Sequence, residues 1–293
     1  THGSDGKKEL VTSAWINHSV VNSSEQGYSM DLDTIPKLTQ PTLSASSVDM
    51  GSSITISMPR SSSSYTHTLK YSFGDASGTI GTSLGVSKSW TVPLSLASQI
   101  PNAKSGTCTI SCETYNGNTK LGTLKVELTV KVPSLCVPSI SSILASEAVS
   151  EVDAQFHAFI QNKTKLKVTT SAGGIYGSTI KVYKVTINGT SYSGSEITSG
   201  EITTSGNVNI KAEVTDSRGM KATKTLQVVV LEYNPPTINE LSVYRGNEIG
   251  TQVNGGTYAY VTCNFVISEL NNINSKQYKL EYKKESDLSW MTY

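Results

Sequence analysis

The sequence predicts an all-β protein: tandem immunoglobulin-like and fibronectin type III-like β-sandwich domains that follow one another in an elongated string. Three observations carry that prediction. Apolar and polar residues alternate with period 2 through most of the 293 positions, as half-buried antiparallel strands require. Turn signals built on Gly, Asn and Asp separate these runs. A proline followed by a short alternating strand also recurs, at a spacing close to the length of one immunoglobulin-like sandwich. Composition agrees, since 44 Ser and 34 Thr accompany 14 Tyr, a mixture suited to short strands and polar turns.

Taken in order, residues 1–37 offer two candidate strands, Glu9–Ile16 and Tyr28–Ile35. Two strands cannot close a core, so this stretch reads as the C-terminal part of a β-domain followed by a linker. A first immunoglobulin-like sandwich is expected over 38–133. There His67, Leu69, Tyr71 and Phe73 share one face of a strand. Leu124, Val126, Leu128, Val130 and Val132 point one way on another, against Lys125, Glu127, Thr129 and Lys131. Ser95–Gln99 suits one helical turn before Pro101. A second sandwich is expected over 134–234, with Val208, Ile210, Ala212 and Val214 inward and a short helical insertion at Ser150–Gln161. Residues 235–293 read as a partial fibronectin type III-like domain, with strands near 238–243, 258–267, 277–283 and 289–293. Its core register is Ala259, Val261, Cys263, Phe265 and Ile267. The strands that would complete it are expected beyond Tyr293, which makes the chain an excerpt of a longer protein, unless a strand from another chain completes it. Hairpins are expected at Asn116-Gly117, Asn188-Gly189, Asp216-Ser-Arg-Gly219 and Gly255-Gly256, where Gly, Asn and Asp accept positive φ or cap their own turn.

The domain joints are marked by proline. Pro41-Thr-Leu-Ser, Pro138-Ser-Ile-Ser and Pro236-Thr-Ile-Asn open the three later segments at intervals of about 97 and 98 residues, and Pro36, Pro133 and Pro235 close the strands before them. Proline locks φ and has no N–H to give to a ladder, so these six residues are predicted to form short stiff hinges.

Charge excludes several function classes. Lys and Arg number 24 against 23 Asp and Glu, so the basic footprint of a nucleic-acid binder is missing. No apolar run approaches the ~18 residues of a membrane span. The four cysteines form no disulfide framework. Cys108 and Cys112 lie about 13 Å apart along one strand, beyond the reach of a bridge. All four read as small buried hydrophobes, and free thiols suit synthesis in a reducing cytoplasm.

Reaction chemistry is hard to find. The sequence has no Gly-rich phosphate loop, no GxSxG and no HExxH, so no catalytic residue, cofactor or metal is predicted. His157, within Phe156-His-Ala-Phe159, reads as a structural histidine. Asp31 and Asp33 precede a linker as calcium ligands would, but they lack further clustered oxygen ligands and read as solvated charges. Asn17, Asn22, Asn162 and Asn188 match the glycosylation pattern, as chance allows in a Ser- and Thr-rich chain. The candidate ligand-binding feature is the pair Tyr258 and Tyr260. They fall opposite the core register and are expected to point outward, toward a sugar or a protein partner.

Several long phrases, in order along the chain, resemble one family. They include Leu32-Asp-Thr-Ile-Pro36, Pro41-Thr-Leu-Ser-Ala-Ser-Ser-Val48, Leu94-Ser-Leu-Ala-Ser-Gln-Ile-Pro101 and Ser105-Gly-Thr-Cys-Thr-Ile110. Lys165-Leu-Lys-Val168, Tyr176-Gly-Ser-Thr-Ile-Lys181, Val214-Thr-Asp-Ser-Arg-Gly219 and Leu241-Ser-Val-Tyr-Arg245 continue the series. The family comprises minor structural proteins of unknown function from siphovirus-type bacteriophages and prophages of Gram-positive bacteria. His2-Gly-Ser-Asp-Gly-Lys7 resembles a stretch that lies inside an earlier β-domain in that family. The resemblance implies a non-catalytic component of the virion tail: a fibre, tip or baseplate appendage that presents host-receptor-binding parts. Its partners would be other phage tail proteins and host cell-wall saccharide, and it would work as a homo-oligomer if the copies assemble. The family has no established active site to carry over. Two alternatives from other classes are a bacterial cell-surface adhesin or stalk of immunoglobulin-like repeats, and a wall hydrolase with its catalytic domain elsewhere.

Overall fold

The computed structural model describes residues 36–293 together with two earlier strands, β1 (Glu9–Ala14) and β2 (Gln26–Asp31). These two pair antiparallel, Glu9 opposite Asp31 and Ala14 opposite Gln26. The described residues are overwhelmingly strand and turn, so the protein is all-β. By contacts the chain divides into two compact units, Thr1–Cys136 with Ile175–Thr179, and Val137–Gly174 with Ile180–Tyr293.

The first unit holds a sandwich made of β3 (Thr42–Leu43), β4 (Ser47–Asp49), β5 (Ser53–Ser57), β6 (Tyr65–Phe73), β7 (Ala76–Leu84), β8 (Ser87–Thr91), β9 (Ser105–Asn116) and β10 (Thr119–Lys131). One sheet has the order β3-β5-β8 and the other β4-β10-β9-β6-β7, with β4 parallel to β10. The alternating residues close the space between the sheets. Ile54, Ile56, Leu69, Ile110, Leu128 and Val130 are all at most 3% exposed, and Tyr71 stacks on Trp90 at 5.2 Å. The turn before Pro101 is a 3-10 segment, Leu94–Gln99, that buries Leu96 and Ala97.

The second unit repeats this plan strand for strand. Its elements are β11 (Ser139–Glu147), α1 (Ser150–Phe156), β12 (Phe159–Ile160), β13 (Lys165–Gly173), β14 (Ile180–Ile187), β15 (Thr190–Ser193), β16 (Glu196–Glu201), β17 (Gly206–Asp216) and β18 (Lys221–Leu231). The sheets run β11-β13-β16 and β12-β18-β17-β14-β15, with β12 parallel to β18. In both sandwiches the first strand is split, its earlier half joining the small sheet and its later half the large one. Helix α1 occupies the gap between those halves. Ile143, Leu166, Val168, Val185, Ile210 and Val230 belong to one contiguous core.

The same unit continues into β19 (Thr237–Gly246), β20 (Tyr258–Val266), β21 (Glu281–Tyr282) and β22 (Met291–Thr292). Pro41, Pro138 and Pro236 each stand one residue before the opening strand of their segment. The register of β11 on β13 slips between Ile140 and Ser142, and that of β19 on β20 between Ile238 and Glu240. Both slips fall two to four residues after the proline, so the third segment repeats the opening of the second.

Turn chemistry follows the residues. In the β14–β15 hairpin Asn188 and Gly189 both take positive φ, 48° and 82°, the type I′ geometry that matches strand twist. Asp216 Oδ1 accepts from the N–H groups of Arg218 and Met220 at 3.0 and 2.8 Å.

Three expectations need correction. The helix stops at Phe156, not Gln161, because Phe159 and Ile160 are drawn into the ladder beside β18. His157 ends that helix in the left-handed region with its side chain 81% exposed, so it is no structural core histidine. The face Ala259, Val261 and Cys263 is exposed and not core, because Val261 and Cys263 line an open cavity of about 1150 Å³ facing Tyr278, Leu280 and the β21–β22 pair and are not packed against them.

Candidate functional site

Strands β19 and β20 carry the tyrosine pair singled out in the sequence and set its geometry. Tyr260 lies directly opposite Tyr244 in the register, and the two rings stack at 5.3 Å with an interplanar angle of 14°. The Tyr260 hydroxyl donates to the carbonyls of Asn247 and Glu248 at 2.9 and 3.1 Å, and that of Tyr244 to Gly250 at 3.1 Å. Asn247 Oδ1 accepts from the N–H groups of Ile249 and Thr251. Gly246 permits the stack, since a Cβ there would sit 3.0 Å from the Tyr260 ring. Tyr260 therefore does not point freely outward as expected; it is committed as a latch over the connecting loop. Tyr258 is the freer member, 48% exposed, and Ile249 stands 86% exposed at the loop tip. Sequence reasoning missed Tyr244 and Asn247, although the alternation in Tyr244 and its spacing to the Gly-rich turn were available signals.

The polar groups of the first sandwich are structural. Glu113 on β9 accepts from Lys120 Nζ at 2.6 Å and Lys70 Nζ at 3.1 Å through Oε1, and from the Tyr115 hydroxyl at 3.0 Å through Oε2. The hydrogen bond from Lys120 is the main reason its carboxyl is held down at about 2, with Lys70 and Tyr115 adding to it against desolvation. The same contact raises the Lys120 ammonium. Among the described residues the buried histidine is His67. Its Nδ1 faces the Gly85 carbonyl at 2.8 Å and must donate there, so Nε2 accepts the Thr39 hydroxyl at 2.8 Å. The Thr39 N–H in turn donates to Thr114 Oγ1 at 3.2 Å. These bonds pin the entering chain to β6 and β9.

Burial pushes the Cys108 and Cys112 thiols up to about 11, which leaves them protonated and unreactive. Cys136 is also buried, but Cys263 is exposed, a correction that follows from the open face of β20. Among the described residues no three Cys, His, Asp or Glu side chains gather to hold a metal ion. His157 comes no nearer a carboxylate than 4.0 Å from Asp153. Asp33, Asn17 and Asn22, and the side chain of Asp31, lie outside the described residues. Of the six predicted hinge prolines, Pro41 and Pro138 are buried, Pro133 is half-buried, and Pro36, Pro235 and Pro236 are exposed. No helix among the described residues is long and apolar enough to cross a membrane.

Solved structures similar to this chain are strings of sandwich modules. The fibronectin(III)-like modules of Clostridium thermocellum CbhA share 15% identity, covering 66% of this chain and 95% of theirs with a TM-score of 0.28. The FN1–FN3 domains of chicken CNTN1 share 8% identity over 75% of this chain and 77% of theirs, with a TM-score of 0.25. Immunoglobulin domains 1–5 of Sidekick-1 share 11% identity over 77% of this chain and 45% of theirs, with a TM-score of 0.33. No curated protein matches the chain. A family profile described as a siphovirus protein of unknown function matches residues 1–288. With nearly its whole length inside that match, the chain belongs to this siphovirus protein family.

Proposed function

We propose that this chain is a non-catalytic structural component of a phage tail, in a fibre, tip or baseplate appendage, where it spaces and presents parts that bind the host receptor. Family membership is the observation that carries the reading. The architecture supports it: the two sandwiches share one strand order, with the connecting prolines set at equivalent places. Each core is closed by its own aliphatic residues, and the polar cluster around Glu113 is an ion cluster in which the carboxylate accepts from Lys70, Lys120 and Tyr115. Pro36, Pro41, Pro133, Pro138, Pro235 and Pro236 act as stiff joints, other tail proteins are its partners, and copies assemble side by side. Repetition of such copies turns weak contacts with host saccharide into avidity.

Mass spectrometry of gradient-purified virions, with heads and tails separated, tests this. The chain is expected in the tail fraction. Its absence from purified particles would overturn the proposal, and so would a lytic band from the protein on a zymogram of host cell wall.

A further inference from the structure

In the second unit, the chain after β20 does not leave along the strand. Leu270, Asn271 and Asn272 take φ of 50°, 57° and 64°, three consecutive left-handed residues without a glycine. Asn tolerates this conformation, whereas Leu adopts it only when its surroundings enforce it. Leu270 is 5% exposed, and the turn is tied by Asn274 N–H to the Glu269 carbonyl and Asn274 Nδ2 to the Ser268 carbonyl. Ser268 Oγ is bonded both ways to the Asn234 backbone, at 2.7 and 3.1 Å. Strained backbone held this firmly points to a site. The turn walls a cleft of about 440 Å³ together with helix α1 and the Tyr233–Pro236 linker, a volume within the range of small-molecule sites.

The lining decides the ligand class. Phe156, Tyr233 and Phe265 supply aromatic surface, and Gln155, Asn274 and Gln277 supply carboxamides. Lys163 reaches over the Tyr233 ring at 5.3 Å, and Glu151 brings the opposite charge to the rim. Lys163 and Lys276 against Glu151 leave a single net positive charge and no arginine fork, too little to hold a nucleotide phosphate chain. The carboxamides interrupt any wall long enough for an acyl tail. Aromatic faces beside groups that both donate and accept hydrogen bonds match a ring with an apolar face and a hydroxylated rim. We propose that this cleft is a carbohydrate-binding site for a short saccharide, with Tyr233 and Phe265 meeting the ring faces and Gln155, Lys163 and Gln277 its hydroxyls.

This inference deepens the proposed function by giving a place to the host-saccharide contact named there, and its failure is distinguishable from failure of the tail role. A tail protein that binds no sugar leaves that role intact, and sugar binding by a protein absent from virions leaves the cleft intact. The test is saturation-transfer NMR on the full chain with glucose, galactose, rhamnose, N-acetylglucosamine and N-acetylgalactosamine and their disaccharides. At least one is expected to bind saturably with Kd on the order of 1 mM. Tyr233→Leu, which keeps apolar bulk but removes the aromatic face, and Gln155→Ala on the exposed helix surface should each weaken it about tenfold. Tyr258→Ala, outside the cleft, should leave it unchanged. Should Tyr233→Leu fail to fold, Gln155→Ala carries the test. Absence of saturable binding by every sugar, binding that survives both substitutions, or binding that follows Tyr258 would overturn the proposal.

Discussion

Glu113 offers the sharpest link between a named contact and a measurable free energy. Its carboxyl sits at about 2 in the folded chain against an ordinary 4.5, so the folded state favours the ionised form by at most about 3 kcal/mol. Its partners reduce that figure, because the Lys70 and Lys120 side chains are 49% and 44% exposed and solvent screens them. About 1–2 kcal/mol remains. The sign follows from the depressed folded value: the contribution is complete above about pH 4.5 and is lost as pH falls through about 2. Glu113→Gln keeps the shape and removes the charge. Trp90, 8% exposed and in the same sandwich, reports unfolding when Trp15 and Trp290 are replaced by Phe. In urea titrations at pH 7 the Glu113→Gln chain should unfold earlier by about 1–2 kcal/mol, and the gap should close toward pH 2. Equal midpoints at pH 7, or a gap that persists undiminished at pH 2, would refute the assignment of this energy to the Glu113 cluster.

Three further outcomes are expected. His67→Leu leaves the buried Thr39 hydroxyl without its partner and removes the bond to the carbonyl of exposed Gly85, which should cost about 1–3 kcal/mol in the same fluorescence assay. Iodoacetamide should label Cys263 in the native chain and reach Cys108, Cys112 and Cys136 only in urea, as peptide mass mapping would show. Tyr260→Phe removes the bonds to Asn247 and Glu248; hydrogen exchange at Ile249 and Thr251 should quicken while the two sandwiches keep their protection, for a local loss of about 1 kcal/mol.

What could be read from the sequence was whatever local physics decides. Val208 through Val214 show their buried face by alternation alone, and Asn188-Gly189 names its turn because few residues accept two positive φ values in succession. Asp216 caps its turn as its type and spacing imply. The rest depends on register, which no local pattern contains. Glu113 meets Lys70 only because β6 lies beside β9, and His67 finds Thr39 from 28 residues away. Tyr260 has the right period to point outward, and only its pairing with Tyr244 turns it into a latch. The helix boundary failed for the same reason, since Phe159 and Ile160 would suit a helix equally well until β18 offers them a ladder. The walls of the cleft come from α1, the proline linker and the Leu270 turn, which together span more than a hundred positions, and only the folded second unit brings them together.

The tail role is tested most directly by labelling intact virions with gold-conjugated antibody raised against this chain. The account predicts label confined to the tail, at the end distal to the head or along an appendage there, with adsorption to host cells reduced by the same antibody. Label over the head, or virions that bind no antibody while infected-cell extracts do, would contradict it.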